Sequence, residues 1–266
     1  MERKEMSKPL LDVVFNSEKR KKVLLLLQDG HKEMDSLLKS LDTTRQALLP
    51  QTKILEEHHL VFHYDDIYEL TTLGKIIVED MMPLIDIIEV FEHDTNYWGN
   101  HKIDFIPPFL LERLSDLKCC KIIKPCLADL YEVNKDFIER SDHSKSLFFI
   151  FTFMHPSFAP LISQFIENDI DTKIIVTKEL LEKLKAEWHD ETNAFIGSGK
   201  VKLFLFQEPL KLVSLSVSDV CLALRLLNND NRYDNTQIFC CGPSSQHWGQ
   251  ELFNYYLGFS VPIYEV

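Results

Sequence analysis

Apolar residues recur along the chain in blocks whose period changes from helical to alternating, and the order of these blocks predicts two domains. Leu10, Leu11 and Val14, then residues 23–27, have helical spacing, with Glu18-Lys19-Arg20-Lys21-Lys22 between them. Asn16-Ser17 offers a cap that divides this stretch into two helices, and Asp29-Gly30 supplies a stop. A short helix is expected over residues 32–40, with Met34, Leu37 and Leu38 at core spacing. After Leu41-Asp42, Thr43 with Gln46 three positions on forms a capping box that starts another helix. Ala47, Leu48, Ile54 and Leu55 carry its period to about His58, and Ala47, Ile54 and Leu55 read as its buried stripe. Pro50 lies inside it, where the missing N–H predicts a bend.

The period then changes to two. Residues 60–64 and 67–71 are rich in β-branched and aromatic side chains, and Asp65-Asp66 between them has the length of a two-residue hairpin. Helix, helix-turn-helix and β-hairpin, in that order, make a winged helix-turn-helix. A further helix from Lys75 carries Ile77, Met81, Leu84, Ile88 and Phe91 at spacings of four and three, the seam of a helix that pairs with a two-fold mate, although Pro83 interrupts it. Residues 92–102 are polar and read as a linker. Beyond them, Pro107-Pro108 opens a helix to Leu117 and residues 126–140 look helical. Strands are expected at 146–154, 172–176, 201–206, 210–217, 220–226 and 237–241, with helices at 158–167, 178–187 and 244–257. The fold class is therefore α+β: a winged-helix domain over 1–91, a linker over 92–102 and a mixed α/β domain over 103–266.

Composition changes this picture in two ways. The net charge of −12 argues against a nucleic-acid partner, but residues 1–75 hold 12 basic and 13 acidic residues, so nearly all the excess lies in the remainder. A near-neutral head holds DNA if its cations face one way, because phosphate contacts act over a screened, local range. The charged Met1-Glu2-Arg3-Lys4-Glu5 start has no apolar stretch of a secretion signal, and no apolar run approaches the length of a membrane span. A cytoplasmic address and reduced thiols for the six cysteines follow as expectations.

At this point a resemblance becomes visible. The stretch Thr43-Thr44-Arg45-Gln46-Ala47-Leu48-Leu49-Pro50-Gln51, continued by Ile54-Leu55-Glu56-Glu57 and Tyr68-Glu69-Leu70-Thr71-Thr72-Leu73-Gly74, resembles archaeal ArsR-like winged-helix regulators. Downstream, Trp98-Gly99, Phe105-Ile106-Pro107, Leu224-Arg225-Leu226-Leu227, Tyr233-Asp234 and His247-Trp248-Gly249-Gln250-Glu251-Leu252-Phe253 look like the effector domain of the methanogenesis regulatory protein family. The resemblance covers nearly the whole chain. It implies a homodimeric transcriptional regulator of a methanogenic archaeon, with double-stranded DNA and a small-molecule effector as partners and no cofactor. Two features depart from a strong DNA binder: the acidic wing tip Asp65-Asp66, and a recognition helix with only Arg45 and Lys53 as cations.

For the chemistry, Arg45, Gln46, Leu49, Thr52 and Lys53 lie opposite the stripe read as buried. Arg suits guanine, Gln suits adenine, and Leu49 suits a thymine methyl. Thr43 and Thr44 lie at the helix N-terminus, where backbone N–H groups favour a phosphate. The Lys19–Lys22 run reads equally as a DNA-backbone contact or a solvated helix face. Gly197-Ser198-Gly199-Lys200-Val201 is not a phosphate loop, because Val201 stands where Ser or Thr must be and a strand follows. Cys119-Cys120 and Cys240-Cys241 lack the C-x-x-C spacing of zinc clips, and Cys240 and Cys241 read as small buried hydrophobes. A metal- or thiol-responsive regulator remains as an alternative, as does an enzyme with an accessory winged helix, although no catalytic motif is found. For the effector, Arg225 lies in an apolar strand, where a guanidinium needs solvent, a carboxylate or a bound anion. His155, Ser216 and Trp248 are its expected neighbours in a pocket, and a salt bridge to Asp234 is the alternative.

Overall fold

The computed structural model describes residues 8–125 and 134–266. The chain divides into two compact units, one ending at Asp86 and the other running from Ile87 to Val266.

The first unit builds its core on helices α1 (Leu10–Phe15), α2 (Glu18–Leu26), α3 (Met34–Ser40) and α4 (Arg45–Glu57). Ser17 caps α2 by accepting from the Arg20 N–H, as the sequence predicts. Strand β1 (Lys32–Glu33) replaces the first turn of the helix expected from residue 32, and it pairs with the hairpin of β2 (Val61–Tyr64) and β3 (Ile67–Leu70). That hairpin turns without glycine because Asp65 and Asp66 both take positive φ, +47° and +67°, and aspartate tolerates the left-handed region better than most residues. Helix α5 (Thr72–Glu92) follows. Its Gly74 is obligatory, since a Cβ there would lie 2.1 Å from the Leu60 carbonyl oxygen. Arg20 is buried, donating from Nε to Val13 O (2.6 Å), from Nη2 to Asp12 O (2.9 Å) and from Nη1 to Gln51 Oε1 (2.8 Å). Within the basic run it is an internal brace that ties the end of α1 to α4, and it is not available to a phosphate.

The second unit begins inside α5. Residues 92–102, read as a linker, hold helix α6 (Thr95–Asn100), capped by Asp94 on the Tyr97 N–H. Tyr97 and Trp98 are buried in the unit's core, and Trp98 Nε1 donates to Val90 O (2.9 Å). This segment is therefore structural, its polar residues lying around two anchoring aromatics. In order come α7 (Pro108–Leu111), a 3₁₀ turn (Leu114–Leu117), β4 (Lys121–Ile123) and α8 (Lys135–Ser141). Of the helix expected over 126–140, α8 forms the last part, and residues 126–133 lie outside the described residues. Then follow β5 (Ser146–Phe151), α9 (Phe158–Glu167), β6 (Asp171–Thr177), α10 (Lys178–Glu187), α11 (His189–Gly197), β7 (Val201–Phe206), β8 (Leu212–Val217), β9 (Cys221–Leu227), β10 (Tyr233–Cys241), α12 (Pro243–Leu257) and β11 (Ser260–Ile263).

Among the described residues of this unit, β4 to β11 form one sheet of order β11-β7-β6-β5-β8-β9-β10-β4. The β5–β6–β7 portion is parallel, and every other pairing in the sheet is antiparallel. Alternation along the strands sends side chains to two cores. One holds Trp248, Leu252 and Phe253 of α12 with Ile150, Leu215 and Leu224, and the other holds helices α8–α10 with Leu147, Phe149, Ile174 and Val176. Gly249 lets α12 approach the sheet, because a Cβ would meet Leu222 Cδ1 at 2.5 Å. The cysteines depart from expectation. Neighbours 240 and 241 point to opposite faces, as strand geometry requires, but Cys240 is bridged to Cys120 and Cys241 to Cys221, while Cys119 is free and exposed.

Candidate functional site

Helix α4 presents one face to solvent and buries the other. Arg45, Gln46, Leu49 and Lys53 are exposed, whereas Leu48, Thr52 and Leu55 are buried. Thr52 is thus a correction: it is fully enclosed, and its hydroxyl donates to Leu49 O at 3.0 Å. The buried stripe runs through 48, 52 and 55, with Ala47 and Ile54 only half-buried at its edges, one position round from the expected face. The capping box also fails to form. The helix starts at Arg45 behind Thr44, whose side chain caps nothing, and the Thr43 N–H turns back to Leu38 O (3.1 Å). Thr43 is half-buried and Thr44 exposed.

The wing tip lies beside this face. Asp66 pairs with Arg45, both side chains remaining about half exposed. The acid that would repel a phosphate therefore fixes the direction of the arginine best placed to read a base. On β2, Phe62 and Tyr64 are exposed and stacked, ring centroids 6.1 Å apart. These aromatics were not singled out from the sequence, where the alternation of the strand suggests an ordinary edge.

The expected pairing seam on α5 divides. Met81 is buried in the head's own core and Ile77 packs against it, while Phe91 packs into the core of the second unit. Leu84 and Ile88 remain exposed, as do Leu73 and Ile76. A strict heptad overlooks this outcome because the helix has a core to cover along one flank.

The second unit contains a small pocket of about 80 Å³ between the sheet and helices α8 and α9. Strand register builds its floor. Phe151 lies opposite Ser214, Ser214 opposite Arg225, and Arg225 opposite Gln237, so three polar residues sit side by side on adjacent strands. One step along, Phe149, Ser216, Ala223 and Phe239 line up in the same way. Arg225, Ser216 and His155 all line this pocket, as expected, and Ser214, Gln237 and Asn134 join them. Trp248 does not. It is fully buried on the opposite face of the sheet, donating from Nε1 to Leu110 O at 3.0 Å. A tryptophan flanked by polar residues in a helix gives no sign of which face it takes.

Arg225 has no carboxylate partner among the described residues. Its Nη1 lies 3.5 Å from Ser214 Oγ, and its Nε is buried without a hydrogen bond. Burial pulls its pKa below the ordinary guanidinium value. Asp234, the expected alternative partner, pairs instead with His101 (2.9 Å). Gln237 Oε1 is likewise buried and unbonded, and His155 Nδ1 accepts from the Ser157 N–H (3.1 Å). Phenylalanines form the walls: Phe149 stacks on Phe151 and Phe165, with centroids 5.1 and 6.1 Å apart, and Phe158 meets Phe151 edge-on.

A winged-helix unit joined to an α/β unit with an enclosed, mostly apolar pocket defines a two-domain architecture. Comparison with known proteins finds similarity in both units. Residues 9–89 match the N-terminal domain, and residues 130–258 the middle domain, of the methanogenesis regulatory protein FilR1. Together the two matches span most of the chain, which is similar to the FilR1 methanogenesis regulatory proteins in both regions. A curated relative, the methanogenesis regulatory protein FilR1 of Methanothrix harundinacea (strain 6Ac), is 26% identical over 264 residues. That alignment covers 96% of this chain but only 58% of the relative. Among solved structures, TrmBL2, an archaeal chromatin protein, is 15% identical with a TM-score of 0.43, covering 94% of this chain and 96% of its own. The dimethyltransferase RosA of Streptomyces davawensis is 11% identical with a TM-score of 0.26, covering 74% of this chain and 62% of its own. Neither distant structural similarity carries a functional argument. No helix among the described residues is long and apolar enough to cross a membrane.

Proposed function

We propose that this chain is a sequence-specific, DNA-binding transcriptional regulator with an ArsR-like head that works as a homodimer in the compartment holding the DNA. The reading rests chiefly on α4, which turns Arg45, Gln46, Leu49 and Lys53 to solvent beside a wing while its opposite face is buried. Arg45, held by Asp66, is the base-reading residue; Lys53 is a phosphate contact. Thr43 and Thr44 flank the helix start, where backbone N–H groups favour a phosphate oxygen. Pairing uses the exposed apolar residues of α5, Leu84 and Ile88 above all, and places two recognition helices on a two-fold-related site. The body binds a small effector in the Arg225 pocket, and it alters DNA affinity only if the effector prefers one arrangement of the paired heads. A regulator of this kind needs no catalytic group.

Selection of genomic duplexes on the purified chain, followed by Leu84→Glu/Ile88→Glu, tests this reading. Specific duplexes should be retained, and the double variant should be a folded monomer in sedimentation with weakened binding. A double variant that stays dimeric moves the pairing surface elsewhere.

A second reading is a thiol-responsive regulator, favoured by the juxtaposition of Cys120 with Cys240 and of Cys221 with Cys241. It requires operator affinity to change between reducing and oxidising buffers, and that change to vanish in Cys240→Ser/Cys241→Ser.

A further inference from the structure

From the pocket's chemistry we infer that it takes a monocarboxylate carrying an apolar ring or short hydrocarbon chain, with the carboxylate seated on Arg225 and the tail among the phenylalanines. The inference rests on the effector reading only for its biological consequence; the binding chemistry stands on the pocket itself.

Charge comes first. Among the described residues the pocket lining holds one permanent cation, Arg225, and neither Asp, Glu nor Lys. Arg225 is half-buried; a guanidinium withdrawn from water without a counter-ion is costly, and a single negative charge balances it. A phosphate dianion would leave one charge over, with only Ser214, Ser216 and Gln237 as neutral neighbours. An amino acid would bring an ammonium group for which the described lining residues supply no carboxylate. Monoanions remain.

Geometry narrows the class further. The register that sets Ser214, Arg225 and Gln237 abreast on β8, β9 and β10 makes a flat row of donors across the sheet. Arg225 makes one long contact, from Nη1 to Ser214 Oγ, and its Nε is unbonded, so the planar fork keeps donors for carboxylate oxygens. The Ser214 hydroxyl and the Gln237 amide stand on either side to take the remaining lone pairs. Beyond this row the walls turn apolar, with Phe149, Phe151, Phe158 and Phe165 in mutual ring contact. A sugar or another polyol would lose hydrogen bonds to water there without replacement. A short aryl or alkyl tail matches the apolar walls.

Calorimetry on the full chain tests this with phenylacetate and hexanoate against phenylacetamide and hexanamide, which keep the tail and lose the charge. Phenylalanine serves as the zwitterion. The acids should bind at least about tenfold tighter than their amides, and phenylalanine should bind no better than the amides. Arg225→Gln should erase the preference for acid over amide, while Arg225→Lys should keep it at lower affinity. Urea midpoints identify any variant that fails to fold, and the acid–amide comparison on the unaltered chain needs no variant. Equal binding of acid and amide, or no binding of either acid, overturns the inference. Repeating the titration with operator duplex present separates the two ideas. Acid-selective binding that leaves DNA affinity unchanged upholds the ligand class and removes the effector role. An uncharged metabolite that shifts DNA affinity through this pocket, with no acid bound, does the reverse.

Discussion

The head and the body of this chain bury polarity in opposite ways. In the head, Arg20 is the buried cation, and three oxygens, from Val13, Asp12 and Gln51, meet its three nitrogens. In the body the corresponding cation, Arg225, is half-buried; beyond one long contact to Ser214 its Nε is left without a partner. A satisfied guanidinium is a structural brace, whereas an unsatisfied one beside a cavity is a place for a ligand. The same residue type in a sequence thus divides into two roles by its surroundings, and the variants below test that division.

Trp248→Ala should have the largest effect. The indole fills the core beneath α12, so its loss should cost about 3–5 kcal/mol in urea unfolding. Trp248→Phe, which keeps most of the volume, should leave carboxylate binding in the pocket unchanged. A large change in ligand affinity would return this residue to the pocket wall.

Arg20→Ala comes next. It removes the Arg20 donor from the Val13 carbonyl and one of two donors each from the Asp12 carbonyl and the Gln51 amide oxygen, which keep the Asn16 N–H and the Ser17 hydroxyl, and should cost about 1–3 kcal/mol. Lys22→Ala, whose ion pair with Glu18 is exposed, should change stability by less than about 0.5 kcal/mol. Equal effects in thermal unfolding would mean that the basic run is solvated throughout.

On α4, neighbours 52 and 53 should separate stability from binding. Thr52→Ala should lower stability by about 1 kcal/mol and leave the salt dependence of DNA binding as it was. Lys53→Ala should weaken binding to all duplexes and reduce the salt slope by about one unit, with stability unchanged.

The smallest effect concerns pH. Burial raises the Asp234 carboxyl, but hydrogen bonds from Thr236 and His101 outweigh it and hold its pKa below the ordinary 3.8. Its stabilising contribution is therefore complete above about pH 4 and lost as pH falls through the lower folded-state value. Asp234→Asn should flatten the acid end of the stability curve and leave the neutral region nearly level.

Much of the fold is visible in the apolar period. The strands at 172–176 and 201–206 and the helices at 158–167 and 178–187 stand where alternation and helical spacing put them. The misses have physical causes. Residues 92–102 look like a linker because Asp94, Thr95, Asn96 and Asn100 dominate the composition, but two aromatics, Tyr97 and Trp98, are enough to anchor a helix. The site was half visible: Arg225 is conspicuous in an apolar strand, whereas Ser214 and Gln237 gain meaning only through strand register, which bulges and long connections conceal. Cys120 and Cys240, 120 positions apart, meet only because β4 closes the sheet edge beside β10.

The central claim is that the head reads DNA through Arg45 and Lys53 while the body binds its ligand independently. Fluorescence anisotropy of a duplex selected from genomic DNA, titrated with the unaltered chain, Arg45→Ala and Arg225→Gln, tests it most directly. The account predicts salt-dependent, sequence-specific binding that Arg45→Ala weakens by about 1–3 kcal/mol with relaxed preference at one base pair per half-site, and that Arg225→Gln retains without ligand. Equal affinity of the unaltered chain and Arg45→Ala for that duplex, or no duplex selected at all, would contradict it.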